Sequence, residues 1–392
     1  MNRLRVLSLS TLYPNDLTPN FGVFVERQMQ AVAARGDVEL VMVNPLGLPP
    51  WPLSLHPRYR GLRRLAASEQ RGGVAVLRPR FSLLPGTGGR FNAAAEARAV
   101  LPLARSLHAK QPFDLVDAQF FYPDGPAAVR VAAALGLPVS IKARGADVHH
   151  WGSAPGTAGQ VRAAALAADG LLAVACGLAN DLAALGADRS KITVHHTGLD
   201  RQVFRPLDRD VCRAKLGLPL DQPVLACVGA LIARKGQRFA IEALAEVPGA
   251  VLVLAGSGPD EAALRAQADA LGLAQRVRFL GSVPHGDLPV LLSAADVFVL
   301  PTASEGLANA WVEALACGTP VVTTPIPGAL ELLTAPAYGC TAPRSGPAIA
   351  AAVRGLLADP PAREAVQAGA AAFSWEANAA ALVAYWRGLT GA

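Results

Sequence analysis

The sequence predicts an α/β protein built from two doubly wound, Rossmann-like domains, and three observations lead there. Short apolar runs alternate with Ala-rich stretches of helical period, as the strands and crossover helices of a parallel sheet do. At 392 residues the chain suits two domains better than one. The alternation also starts afresh near residue 200, just after a stretch rich in charge and proline.

In chain order, the first half offers the strand runs "RVLSLS", "VELVMV", "LVDAQF" and "PVSIKAR". The second half repeats the scheme with "PVLACVGAL", "AVLVLAG", "VRFLGSV", "VFVLPTA" and "TPVVTT", spaced to leave room for one helix each. The boundary is expected within "HHTGLDRQVFRPLDRD", residues 195–210, giving domains 1–200 and 201–374. The last stretch, "FSWEANAAALVAYWRGL", has a helical pattern with Ser374 as its N-cap. That helix, in residues 375–392, is expected to pack back on the first domain.

Composition narrows the class. Hydrophobic residues at 52% and charged residues at 17% belong to a folded chain and not to a disordered one. The five cysteines are scattered and without C-x-x-C spacing, which argues for reduced core thiols in a cytosol and against disulfides or structural zinc. The N-terminus has arginines, but its apolar run is short and broken by serines, so it reads as a first strand and not a signal peptide. No apolar run reaches the roughly 18 residues of a membrane span.

The net charge of +6 is unevenly placed. Residues 1–200 carry 21 Lys and Arg against 14 Asp and Glu, the remainder 15 against 16. Arg58, Arg60, Arg63, Arg64, Arg71, Arg78, Arg80 and Arg90 face one acid, Glu69, and follow the apolar "NPLGLPPWPLSLHPRY". Arginines beside Trp51, Leu53, Leu55 and Tyr59 suit an anionic membrane surface; a solvated basic loop is the plainer alternative.

The chemistry concentrates in the second half. In "SEGLANAWVEALACGTPVV", Glu305 stands in a loop after a strand and Glu313 inside the following helix, which Gly318 and Pro320 stop. Ligands of open α/β sheets sit beyond the carboxyl ends of strands, where a helix start offers N–H groups to phosphate. Gly306, Leu307, Ala308 and Asn309 would supply that start. Two carboxylates on either side of it suit a ligand with sugar, phosphate and sugar in series. The plainer alternative is a carboxylate favouring the helix dipole and another on a solvated face. "GALIARKG", Gly229 to Gly236, follows another strand and sets Arg234 and Lys235 where cations meet a diphosphate. "AGSGPDEAAL", with Gly256, sits in the equivalent place, but Glu261 replaces the third glycine of a dinucleotide fingerprint, which disfavours a dehydrogenase.

These segments resemble the nucleotide-sugar-binding domain of family 4 glycosyltransferases, whose GT-B fold has two Rossmann-like domains facing across a cleft. The Glu-x7-Glu segment is matched by Glu305 to Val322 and the G-x-L-x-x-x-K-G loop by Gly229 to Gly236. The P-x-G-x-x-E segment is matched by Pro325 to Glu331 with its first glycine displaced, and the hinge by Gly198, Asp200, Phe204 and Pro206. "LYPNDLTPNFGVFVERQ" and "YPDGPAA" resemble a bacterial subgroup that includes teichuronic acid glycosyltransferases. The resemblance implies that Glu305 binds the transferred hexose, Glu313 the ribose and Lys235 the diphosphate. Ala230 occupies the place of a usual arginine, for which Arg234 is the candidate substitute. Gly22, beside Phe21, lies in the loop that approaches the phosphates. "RGAD" puts Arg144 where a histidine is common and keeps Asp147 as a sugar or acceptor contact.

The expected activity is a retaining hexose transfer from UDP- or GDP-hexose to an acceptor hydroxyl, with no metal and no nucleic-acid partner. The acceptor is expected to be lipid-linked or an oligosaccharide, met at the inner face of the cell membrane through residues 51–90. Closure about residues 198–206 would assemble the site. A nucleotide-sugar epimerase and a non-catalytic sugar-nucleotide sensor share the binding motifs. Outside them, Asp208-x-Asp210 reads as a solvated linker, His149 as a candidate near Asp147, His150, His195 and His196 as lacking helical metal spacing, and Asp124 as a turn residue.

Overall fold

The computed structural model describes residues 3–19 and 21–391, with the side chains of Arg58 and Ala146 outside the described residues. The chain forms two compact units, one of residues 1–198 with 375–392 and one of 199–374.

The first unit contains β1 (Leu4–Leu9), β2 (Val38–Val43), β3 (Leu46–Leu48), β4 (Ser68–Arg71), β5 (Val74–Leu77), β6 (Arg80–Ser82), β7 (Leu115–Ala118), β8 (Val139–Ala143), β9 (Gly170–Ala173) and β10 (Ile192–Val194). Eight of these make one sheet in the order β10-β9-β8-β7-β1-β2-β5-β4. All its pairings are parallel except β4 with β5. Its central strands are buried along their length, which is why they read as unbroken apolar runs. The hairpin β4–β5 turns on Gly72 and Gly73, both at positive φ, as a two-residue turn between right-twisted strands requires.

The basic stretch read from the sequence as one surface is more structured than that. Between β3 and β6, which pair with each other, it makes short helical turns and the β4–β5 hairpin. Arg71 and Arg78 point inward: Arg78 is buried and bonds Glu69 at 2.6 Å, while Arg71 bonds Glu26 at 2.7 Å. Arg78 takes the stretch's own acid and Arg71 one from outside it, so charge counted along the chain overstates the exposed cations.

The C-terminal helix, Trp375–Thr390, joins the core that holds Val25, Met29 and Val32 of the helix Val23–Ala34, burying Leu382, Val383 and Trp386. The indole N–H of Trp386 donates to Asp117 at 3.2 Å. Beneath it, Lys142 Nζ donates to His195 Nδ1 at 2.6 Å, and His195 Nε2 donates to the carbonyl of Asn378. Burial pushes Lys142 well below its ordinary pKa and, with Lys142 alongside, drops His195 to about 2.

The second unit contains β11 (Val224–Val228), β12 (Val251–Ala255), β13 (Val277–Gly281), β14 (Val297–Leu300), β15 (Val321–Thr323) and β16 (Gly339–Thr341). They form one parallel sheet in the order β13-β12-β11-β14-β15-β16, which counted within the unit is 3-2-1-4-5-6. Strand order reverses between β11 and β14 here and between β1 and β7 in the first unit, so loops diverge to leave a crevice at those strands' carboxyl ends.

Candidate active site

In the second unit, the loops leaving β11 and β14 bring the motif residues together. Lys235 Nζ lies 2.6 Å from Glu305 Oε1, and Arg234 Nη1 donates to the same oxygen at 2.7 Å and to the carbonyl of Ser304 at 2.5 Å. Thr302 Oγ1 is 3.2 Å from that oxygen. One carboxylate oxygen thus gathers two cations and a hydroxyl at the mouth of the helix Asn309–Ala316. Backbone bonds lock the two loops, with Ala303 N–H donating to the carbonyl of Arg234 at 2.8 Å.

Glycines make that approach possible. Gly236 has φ 76° and a Cβ there would collide with the carbonyl of Pro301. A Cβ on Gly256, at φ 147°, would collide with the carbonyl of Gly229, and one on Gly328 with that of Gly306. The turn containing Gly256 is therefore a tight backbone packing that supports the Gly229 loop.

Glu313 lies one turn farther on, buried in the helix Asn309–Ala316, and accepts a hydrogen bond from His285 Nε2 at 2.7 Å. The His285 ring rests against Phe204 at 4.8 Å between centroids.

In the first unit, Gly22 caps the helix Val23–Ala34 at φ 75°, where a Cβ would come 2.5 Å from the carbonyl oxygen of Leu12. Arg144 donates through Nε to the carbonyl of Gln119 at 2.6 Å and through Nη2 to Gln119 and Gln28, over the ring of Phe24. Burial lowers its pKa to about 10.

Asp147 departs from the expected sugar or acceptor contact. It is fully buried and accepts from the N–H groups of Phe121, Arg144, Gly145 and Val148, which spends the carboxylate on pinning the loops after β7 and β8. It positions Arg144 and touches no open surface. His149 pairs with Asp181 at 2.8 Å and not with Asp147. Asp208 is the N-cap of the helix Arg209–Leu216, accepting from the N–H of Val211, and Asp210 lies in its first turn, so the pair is solvated as expected but helical and not a linker. Asp124 is no surface turn: it is buried at the start of the helix Asp124–Leu135 and accepts from the N–H of Thr11 at 2.9 Å.

Known proteins resemble this chain in sequence and fold. The family description "Glycosyltransferase Family 4" matches residues 23–203, and "Glycosyl transferases group 1" matches residues 208–373. TuaC of Bacillus subtilis, named as a teichuronic acid biosynthesis glycosyltransferase, is 29% identical over 89% of this chain and 88% of its own. The chain is a family 4 glycosyltransferase of the GT-B fold.

The D-inositol 3-phosphate glycosyltransferase of Mycobacterium tuberculosis is 40% identical over 52% of this glycosyltransferase, and the match spans 45% of that enzyme, less than half its length. Among solved structures, sucrose-phosphate synthase from Thermosynechococcus elongatus superposes with a TM-score of 0.77, 22% identity, and 99% and 100% of the two chains covered. HepE of Anabaena, solved with UDP and glucose, gives 0.72 at 19% identity, with 97% and 98% covered.

Two residues of this glycosyltransferase's site escaped the sequence reading. His285, in "SVPHGDL", carries no spacing that ties it to Glu313. Arg344 follows β16 and bonds the carbonyls of Pro301, Ala233 and Arg234 at 2.8, 2.6 and 3.0 Å, clamping both cation-bearing loops. A basic residue just beyond the carboxyl end of a strand was its only available signal.

Proposed function

We propose that this glycosyltransferase moves a hexose from UDP- or GDP-hexose to an acceptor hydroxyl, with retention and without a metal ion, in building a cell-surface polysaccharide or glycolipid. The observation that carries the reading is Glu305 held by Lys235 and Arg234 at the strand-order reversal of the second unit. Glycosyl transfer develops positive charge on the sugar and negative charge on the departing diphosphate. Glu305 serves the sugar hydroxyls. Lys235 uses one ammonium donor on Glu305, and Arg234 commits Nη1, so two ammonium protons and the rest of the guanidinium remain for phosphate oxygens. The start of the helix Asn309–Ala316, from Gly306 to Asn309, adds N–H groups and its positive dipole end, and Gly229 and Gly256 let the backbone approach closely. Glu313 takes the ribose, Gly22 lets its loop approach the phosphates, and Arg144 serves the acceptor side. The leaving phosphate takes the acceptor proton, so no protein nucleophile is required. HepE, solved with UDP and glucose, supports a sugar-nucleotide donor.

Thermal-shift screening with UDP-, GDP- and ADP-sugars tests the donor, since a ligand of the native state raises the melting point; no shift with any of them ends the reading. Glu305→Ala is expected to cut kcat/KM on the order of 100-fold while leaving nucleotide affinity nearly intact. Turnover in EDTA and the anomeric signal of the product by NMR check metal independence and retention.

In this reading the enzyme works at the cytoplasmic face of the membrane, on an acceptor that is lipid-linked or an oligosaccharide. Trp51, Leu53 and Leu55 are exposed beside exposed Arg60, Arg63 and Arg64, which supports a membrane-facing surface. Among the described residues no helix is long and apolar enough to cross a membrane. Sedimentation with anionic liposomes is expected, reversed by salt; undiminished binding after replacing those arginines with glutamine would refute it.

A further inference from the structure

The first unit holds a cavity of about 630 Å³ beyond the carboxyl ends of β1 and β2, next to the reversal at β1 and β7. That is where a doubly wound sheet receives a ligand, and the size is that of a small-molecule site. Its walls are apolar: Leu17, Leu46, Tyr59, Leu62, Phe81 and Leu83 line it. Leu17 and Phe21, which also line it, are half exposed.

The polar lining decides what fits. Asn44 gives Nδ2 to the carbonyl of Ser10 and takes Arg78 on Oδ1. Asn15 Oδ1 accepts from the N–H groups of Leu17 and Thr18, and the N–H of Thr11 is given to Asp124. Among the buried side-chain polar atoms of the lining, Tyr13 Oη and Asn92 Oδ1 are without a partner. Against the apolar part of the wall the hydroxyls of a sugar ring would find no partner, at a cost for each. A hydrocarbon chain has no such cost, and each methylene taken from water is worth about fourfold in affinity.

Charge supplies the second half of the ligand. The segment from Pro57 to Leu65 lays Tyr59 and Leu62 against the cavity, while Arg60, Arg63 and Arg64 stand exposed on the same strap. Arg80, also exposed, bonds the carbonyls of Arg63 and Leu65 and holds that strap in place. An amphiphile with its chain inside and a phosphate at the rim complements both. We infer that this cavity binds the hydrocarbon chain of a phosphate-bearing lipid acceptor, with the rim arginines on the phosphate. The inference rests on the transferase reading above and names the acceptor class for it.

Gly61 offers a clean block. It lies between Tyr59 and Leu62 at φ −65°, a conformation any residue adopts, and a Cβ there meets only the end of the Leu17 side chain, at 2.9 Å. Gly61→Phe therefore fills the cavity without straining the backbone. Calorimetric titration of the full chain with geranyl and farnesyl monophosphate, farnesol, inorganic phosphate and maltotriose tests the inference. Farnesyl phosphate is expected to bind at least tenfold more tightly than geranyl phosphate, and Gly61→Phe or Leu62→Gln to weaken it tenfold or more. The double variant Arg63→Gln, Arg64→Gln should weaken farnesyl phosphate about tenfold and farnesol little. Equal affinity for both chain lengths, indifference to Gly61→Phe, or maltotriose binding that Gly61→Phe blocks would each overturn it. Thermal shifts of the same variants with sugar nucleotides separate the two readings. A normal donor shift without prenyl binding sinks the cavity alone, whereas prenyl binding without any donor shift sinks the sugar-nucleotide donor proposed above.

Discussion

Glu313 shows how much a single side chain depends on a partner the sequence does not announce. Its carboxylate is buried, and a buried charge is tolerable only when bonded; His285 supplies that bond from a loop 28 residues earlier in the chain. If Glu313 grips the ribose, His285 fixes the angle at which it does so. His285→Ala should then raise the Kd for free nucleotide by roughly tenfold and lower stability by about 1–3 kcal/mol, since it leaves a buried acceptor unpaired. Calorimetric titration with UDP or GDP and a urea melt check the two numbers. His285→Gln, which keeps a donor, should recover part of the affinity. Asp147 teaches the opposite lesson: the motif that retained it pointed to substrate, yet its oxygens are occupied by four backbone N–H groups.

At the scale of elements, the loops after β11 and β14 form a single bonded body, and the glycines between them are spacers. Gly236→Ala adds a Cβ where φ is 76° and where the carbonyl of Pro301 already stands. The loops must separate, at a cost of about 1–3 kcal/mol, and Lys235 moves with them. Thermal melting should drop by several degrees and donor affinity should fall together with it. A variant with unchanged melting and affinity would mean that the two loops are not coupled. Strands and helices of this unit were legible because parallel strands buried on both faces leave unbroken apolar runs. The segment 46–82 was not, because its short strands carry little periodicity and its arginines serve partners scattered along the chain.

Over the whole molecule, buried ionisable groups predict how stability depends on pH. Glu96 and Asp124 are both fully buried; burial, with the Asp147 carboxylate nearby, lifts Asp124 to about 7, and burial with Asp124 beside it lifts Glu96 well above its ordinary value. From pH 4 upward to about 7 the folded chain keeps protons that the unfolded chain has released, so these carboxyls lower stability as pH rises. His195 acts with the opposite sign, because below about pH 6.5 the unfolded chain takes up a proton that the folded chain refuses. Comparing Glu96→Gln with the wild type isolates the carboxyls. The difference in unfolding free energy should shift in favour of the variant between pH 5 and 8, by up to about 1.4 kcal/mol per pH unit for each proton involved. Denaturant melts that run parallel across that range would contradict it.

The sequence by itself determined the two doubly wound units and the place of the donor-site motifs at strand ends; that Glu305 pairs with Arg234 and Lys235 came from the structure. The units and the motif positions follow from periodicity and from residues that sit within a few positions of a strand end, both of which are local. The tertiary structure alone decided which charges are free. It turned Arg71 and Arg78 inward, spent Asp147 on the backbone, brought His285 to Glu313 and Arg344 to the cation loops, and left a largely apolar cavity in the first unit. Most of these depend on partners far apart in the chain, and burial and hydrogen bonding between distant residues leave no periodic trace in a sequence.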